Sequence, residues 1–266
     1  MQEVQYFGEH LWPKNIGHFL IILGFISALF SSFTYYKSAD IRLRRGLQED
    51  DSDSWSWKRL GQLGFVFHGL SVFGIIAILF YIMINQYYEY AYVSQHVNDF
   101  LPMKYVASAF WEGQEGSFLL WMFWHIILGL IIMIYGRKWE APVLSILALV
   151  EVILISMIIG IQFEIGESVV KLGSNPLLLF RDTMDIPLFK NADYVSLLSG
   201  SGLNPLLQNY WMTIHPPTLF LGFASTVIPF CFAVAGFWMK EPRAWVKPAL
   251  KWSLFSGGIL GVGILM

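Results

Sequence analysis

Long apolar runs dominate the chain. Residues 16–36, 60–84, 118–135, 143–163 and 218–239 are each predominantly apolar, and residues 252–266 open a sixth run. About 20 such residues in sequence carry a helix across bilayer hydrocarbon, where the backbone must satisfy its own hydrogen bonds. The expected fold is therefore all-α: a polytopic inner-membrane helical bundle of about six transmembrane helices, one membrane domain over residues 1–266, with two long loops. The charged share is 14%, against about a quarter in soluble domains. A net charge of −2 points to no nucleic-acid partner, so lipid is the expected surroundings. With a single cysteine, Cys231, there is no internal disulfide and no cysteine-cluster metal site. The N-terminal MQEVQYFGEHLWPKN carries neither a basic stretch nor a small-residue cleavage site, so the first run is expected to stay in the mature chain.

Orientation follows from the cations. Loops 37–59, 137–142 and 240–251 hold most of the lysine and arginine, whereas the alternate segments hold only Lys14, Lys104, Lys171, Arg181 and Lys190. The positive-inside bias then puts the first group in the cytoplasm. The N-terminus and the loops 85–117 and 164–214 fall on the periplasmic side.

The segment GLNPLLQNYWMTIHPPTLFLGF, Gly202 to Phe223, sits at the outer lip of the fifth run. Proline disfavours helix at the residue before it, so Pro216 and Pro217 are expected to break any helix arriving from Trp211 and to start a new one. His215 would then be a stiffly held imidazole at the water–lipid boundary, able to bind iron or accept a proton. Tyr210, Trp211, Phe220 and Phe223 are near enough in sequence to give it an aromatic face, and Asn204 and Pro205 belong to the turn before it. In Trp111-Glu112-Gly113-Gln114-Glu115-Gly116-Ser117 the glycines are expected to turn the backbone tightly, with Ser117 capping the third span. Glu115 is a candidate for holding a substrate group, and His96 is expected to be solvated or a minor contact. Within the runs, His68 and His125 lie about 12 and about 16 Å from the cytoplasmic ends of their helices at 1.5 Å per residue. Glu151 sits at similar depth, and ionisable groups there are functional candidates.

The blocks LNPLLQ and IHPPTLFLG, preceded in order by YVSQHVNDFLP, YVASAFWEGQEGSFLLW and Ser174-Asn175-Pro176, resemble the cytochrome c maturation heme lyases of the CcmF/NrfE type. The likeness covers about the last two-thirds of the chain and implies a part in cytochrome c biogenesis. It implies heme b as cofactor, with His215 contacting the iron at the periplasmic face. It also implies apocytochrome c, heme-delivery proteins and other maturation proteins as partners. The family usually has histidine where Gln114 stands, and glutamine is a poor iron ligand. The family's tryptophan-rich outer loop would follow the sixth run, beyond residue 266, so the resemblance implies either one piece of a split protein, with a separate C-terminal half as a further partner, or an incomplete chain. His68 and His125 could instead ligate one heme, or act with Glu151 in a proton- or solute-translocating subunit. A scaffold without catalytic function would use the glycines of the last run, Gly257, Gly258, Gly261 and Gly263, for close helix contacts.

Overall fold

The computed structural model describes residues 6–165, 168–184 and 186–266, with the backbone alone over 161–172. Among the described residues, six helices are long and apolar enough to cross a membrane. They are α1 (Leu11–Arg45), α2 (Ser52–Ile84), α5 (Gln114–Tyr135), α6 (Glu140–Ser156), α7 (Tyr210–Trp238) and α8 (Val246–Leu265). Two short helices, α3 (Ala91–His96) and α4 (Val106–Glu112), lie between α2 and α5. The fold is helical, as the apolar runs require.

Several ends differ from the runs. α1 begins at Leu11, before Pro13, because the donors of a first turn have no intrahelical partner and proline there loses nothing. It continues past Tyr36 to Arg45, helped by the Asp40–Arg44 pair at 2.8 Å one turn apart. Arg42, buried in the last turn, donates to the carbonyls of Lys138 at 2.9 Å and Gln48 at 3.3 Å. α6 stops at Ser156 rather than reaching Phe163, because Gly160 takes a left-handed φ of +72°. The backbone then forms an antiparallel hairpin, β1 (Ile161–Ile165) with β2 (Ser168–Leu172).

The chain forms two compact units. The first comprises Met1–Ile21, Gly74–Phe118 and Met157–Ile214, and therefore gathers the N-terminal segment and both long loops. Its loops are ordered by cross-links between distant stretches. Tyr90 bridges Leu179, Phe180 N donates to Glu89 O at 2.6 Å, and Ser201 N donates to Ser94 O at 2.7 Å. Glu9 takes Arg181 Nε and the Tyr194 hydroxyl, each at 2.6 Å. Burial and this carboxylate together push the Tyr194 phenol well above its ordinary pKa.

The second unit comprises Ile22–Phe73, Leu119–Ser156 and His215–Met266. Small residues let its helices approach closely. Ser32 and Ser145 exchange hydroxyl-to-carbonyl bonds at 2.8 and 3.0 Å between α1 and α6. A Cβ on Gly64 would meet the Ser31 backbone nitrogen at 3.0 Å. Of the four glycines of α8 expected to make close contacts, only Gly263 does, against Leu219 of α7; nothing lies within 4 Å of where a Cβ on Gly257, Gly258 or Gly261 would sit.

Candidate functional site

α7 carries His215, and it does not break at the prolines. Asn209 caps it, its side chain accepting from Met212 N at 3.0 Å, and the helix then runs unbroken through Pro216, Pro217 and Pro229. This overturns the expected break. Pro216 cannot donate to the carbonyl of Met212 four residues earlier, which would normally end the helix. Here the indole of Trp111 donates to that carbonyl at 2.9 Å, so the acceptor is not left bare. Five residues further along, the carbonyl of Pro217 also accepts from the Trp124 indole at 3.0 Å. His215 is thus in the second turn of a helix, not at its entrance. Trp111→Phe should cost about 1 kcal/mol in unfolding measurements. The loss should shrink when Pro216→Ala restores the backbone donor, which a double-mutant cycle reads directly.

The imidazole of His215 is half-buried, with Nδ1 enclosed and without a hydrogen-bond partner. The other five histidines all place ring nitrogens in hydrogen bonds. His10 meets Glu89 at 2.8 Å, and His18 meets Asn175 at 3.3 Å. His68, His96 and His125 are bonded as described below. Deeper on α7, Phe220 and Phe223 pack edge-on at 6.2 Å, and the Trp121 ring of α5 lies 6.0 and 6.3 Å from them. Tyr210 and Trp211, the first residues of α7, are 67% and 54% exposed with rings 5.8 Å apart. Asn204 accepts from Leu206 N at 3.0 Å and starts the turn at Pro205 that precedes the helix.

In the first unit, the stretch from Trp111 to Ser117 is a sharp corner between α4 and α5. Gly113 has an ordinary φ of −76°, so glycine is needed there for space and not for a left-handed turn. The space is taken by Tyr92, whose hydroxyl donates to Phe110 O at 2.6 Å and would sit 2.5 Å from a Cβ on Gly113. Burial and the charges of Glu115 and Glu112 raise the Tyr92 phenol far above its usual pKa, so it stays a donor. Ser117 does not cap α5, which already starts at Gln114; its hydroxyl donates back to Trp111 O at 2.8 Å. Glu115 occupies the first turn, where a carboxylate complements the helix dipole. His96 is not solvated. It stacks on Tyr92 at 4.2 Å, with Nδ1 2.7 Å from Tyr92 O and Nε2 3.1 Å from Glu112.

In the second unit, three buried side chains from three helices meet. Glu151 of α6 sets Oε2 2.8 Å from His68 Nε2 and Oε1 2.7 Å from His125 Nδ1, and all three side chains are fully buried. His68 Nδ1 faces the carbonyl of Gly24 at 3.0 Å. The two imidazoles therefore grip a carboxylate between them. Depth along the helices placed them at one level, but only packing sets which faces meet. Sequence reasoning missed the two indole donors to α7 and the Glu112 partner of His96. For Trp111 a signal existed: a mid-helix proline leaves bare the carbonyl four residues before it, and tryptophan is a donor without an acceptor site.

The family model described as "Cytochrome C assembly protein" matches residues 111–266. The chain is 31% identical to the cytochrome c-type biogenesis protein CcmF of Pseudomonas fluorescens over 78% of this chain and 28% of that protein. Against CcmF of Pseudomonas aeruginosa it is 28% identical over 95% of this chain and 34% of the relative. Against NrfE of Haemophilus influenzae it is 27% identical over 66% and 24%. A solved cytochrome c heme lyase CcmF superposes on 98% of this chain and 36% of its own, with a TM-score of 0.64 at 20% identity, which establishes a shared fold. The chain spans about a third of the length of the relatives it matches.

Proposed function

Because the chain belongs to the cytochrome C assembly protein family, we propose that it forms the N-terminal part of a heme lyase of cytochrome c biogenesis, holding heme at the outer face of a bacterial inner membrane for attachment to apocytochrome c. The observation that carries this reading is the state of His215. It alone among the six histidines makes no ring hydrogen bond among the described residues. An imidazole with neither nitrogen in a hydrogen bond can turn either to a heme iron, whereas each of the other five commits at least one ring nitrogen within the protein. Aromatic side chains on the same helix, Phe223 inward and Trp211 and Tyr210 outward, supply apolar surface of the kind a porphyrin face packs against. Heme b brings vinyl groups to which the thiols of apocytochrome c add, so the chain needs no nucleophile of its own; His215 binds, and the helix beneath it orients. The basic residues of the second unit, Arg42 in the last turn of α1 and Arg137 and Lys138 between α5 and α6, support a cytoplasmic placement for that end and a periplasmic one for His215.

The test is the heme spectrum of the full chain purified together with the proteins that associate with it. Wild type should show a Soret band that His215→Ala loses, while the protein level and helix content stay as they were. An unchanged band in the variant would overturn the assignment.

A further inference from the structure

We propose that the groove between the α5–α6 turn and the start of α8 binds an acidic phospholipid. The groove lies wholly within the second unit and encloses about 550 Å³. Its floor is apolar: Ile132, Trp139 and Phe232 belong to the buried core, and the rings of Trp139 and Phe232 meet edge-on at 5.9 Å. Its mouth is cationic. Arg137, Lys138, Lys247 and Lys251 line it, and no carboxylate among the described residues does. Lys138 is answered by Glu241 at 2.6 Å. Arg137, Lys247 and Lys251 are exposed and make no side-chain hydrogen bond or ion pair among the described residues. By contrast, Arg42, Arg44, Arg45 and Lys58 at the same end are each paired with an aspartate.

Three uncommitted cations around one apolar floor call for a counter-charge. Lys247 and Lys251 stand one helical turn apart on α8, where like charges repel. Arg137 takes a left-handed φ of +49°, unfavourable for a residue with a β-carbon, so the turn presents it against its local preference. Free phosphate would answer the cations but leave the floor wet, and a neutral lipid would cover the floor but leave the cations. A lipid with an anionic head and acyl chains answers both. The height is also right. Arg137 comes two residues after α5 ends, and Lys247 is the second residue of α8, so the cations mark the level where spans end and headgroups begin. Tyr135, 75% exposed, and the half-buried Trp252 flank the opening, as aromatic side chains do at that level. Basic pockets between membrane helices recognise acidic headgroups by this combination of charge and apolar wall.

The experiment is native mass spectrometry of the detergent-solubilised full chain, titrated in parallel with phosphatidylglycerol, phosphatidylcholine of the same acyl chains, and inorganic phosphate. Wild type should take up one phosphatidylglycerol about tenfold more tightly than phosphatidylcholine, and phosphate should neither bind nor displace it. Each cation removed should weaken the phosphatidylglycerol complex about fivefold, so Arg137→Gln loses about fivefold and Lys247→Gln with Lys251→Gln about 25-fold. These three side chains are exposed, so the variants should unfold at the wild-type temperature. Ile131→Trp, which fills the groove from its exposed wall, should weaken both lipids alike. Lys37→Gln, at the same end but outside the groove, should change nothing. Equal affinity for the two lipids, displacement by equimolar phosphate, or an equal loss in Lys37→Gln would overturn the proposal. So would absence of the lipid from the chain purified with its associated proteins, which would give the groove to one of them. His215→Ala should leave the lipid mass in place, so the heme reading and this one can fail separately.

Discussion

Glu151→Ala should destabilise the chain by about 3–5 kcal/mol, the usual result of removing one member of a buried ionic group. The size follows from what the change leaves behind. His68 keeps its bond to Gly24 O, but its Nε2 and both nitrogens of His125 are then fully buried with nothing to meet. A cavity the size of the lost carboxylate adds to that cost. An SDS or thermal unfolding series in detergent should place Glu151→Ala far below wild type and Glu151→Gln close to it. If alanine were as well tolerated as glutamine, the triad would not be holding α2, α5 and α6 together.

The second large effect is expected at the corner between α4 and α5. A Cβ on Gly116 would run into the carbonyl of Phe110 and stand 2.6 Å from the Tyr92 hydroxyl. Backbone cannot yield as a side-chain tip can, so Gly116→Ala should cost about 3 kcal/mol, at the upper end for overpacking. At Gly113 the obstacles are the ends of two side chains, Tyr92 at 2.5 Å and His96 at 2.8 Å, so alanine there should cost about 1 kcal/mol. The measurable result is the order of the two variants in unfolding, together with a loss of folded protein that is worse for Gly116→Ala. Equal effects would mean that the corner opens freely.

How much of this was legible beforehand depends on which forces were local. The six membrane-length helices followed from apolar runs, since lipid leaves the backbone few alternatives. Helix ends were harder. α7 extends through prolines that locally favour stopping because the Met212 carbonyl is satisfied by Trp111, and the end of α1 is tied down by Arg42 on Lys138 O. Neither partner is near in sequence. The same limit applied to the site. His68, His125 and Glu151 were visible as ionisable residues in apolar surroundings, and their similar depth followed from helix rise. That one carboxylate serves both rings is a matter of helix rotation, which sequence does not carry. His96 read as a loop residue because its partner, Glu112, is sixteen positions away on another short helix.

The continuity of α7 has a mechanical consequence. An imidazole at the mouth of a loop could swing by itself, whereas His215 is carried on a rod of 29 residues. Its azimuth and height are therefore properties of the whole rod, trimmed where the Trp111 indole replaces a missing backbone donor. Repositioning this imidazole means tilting or rolling the shaft, and any partner that leans on the far end of α7 thereby gains leverage over it.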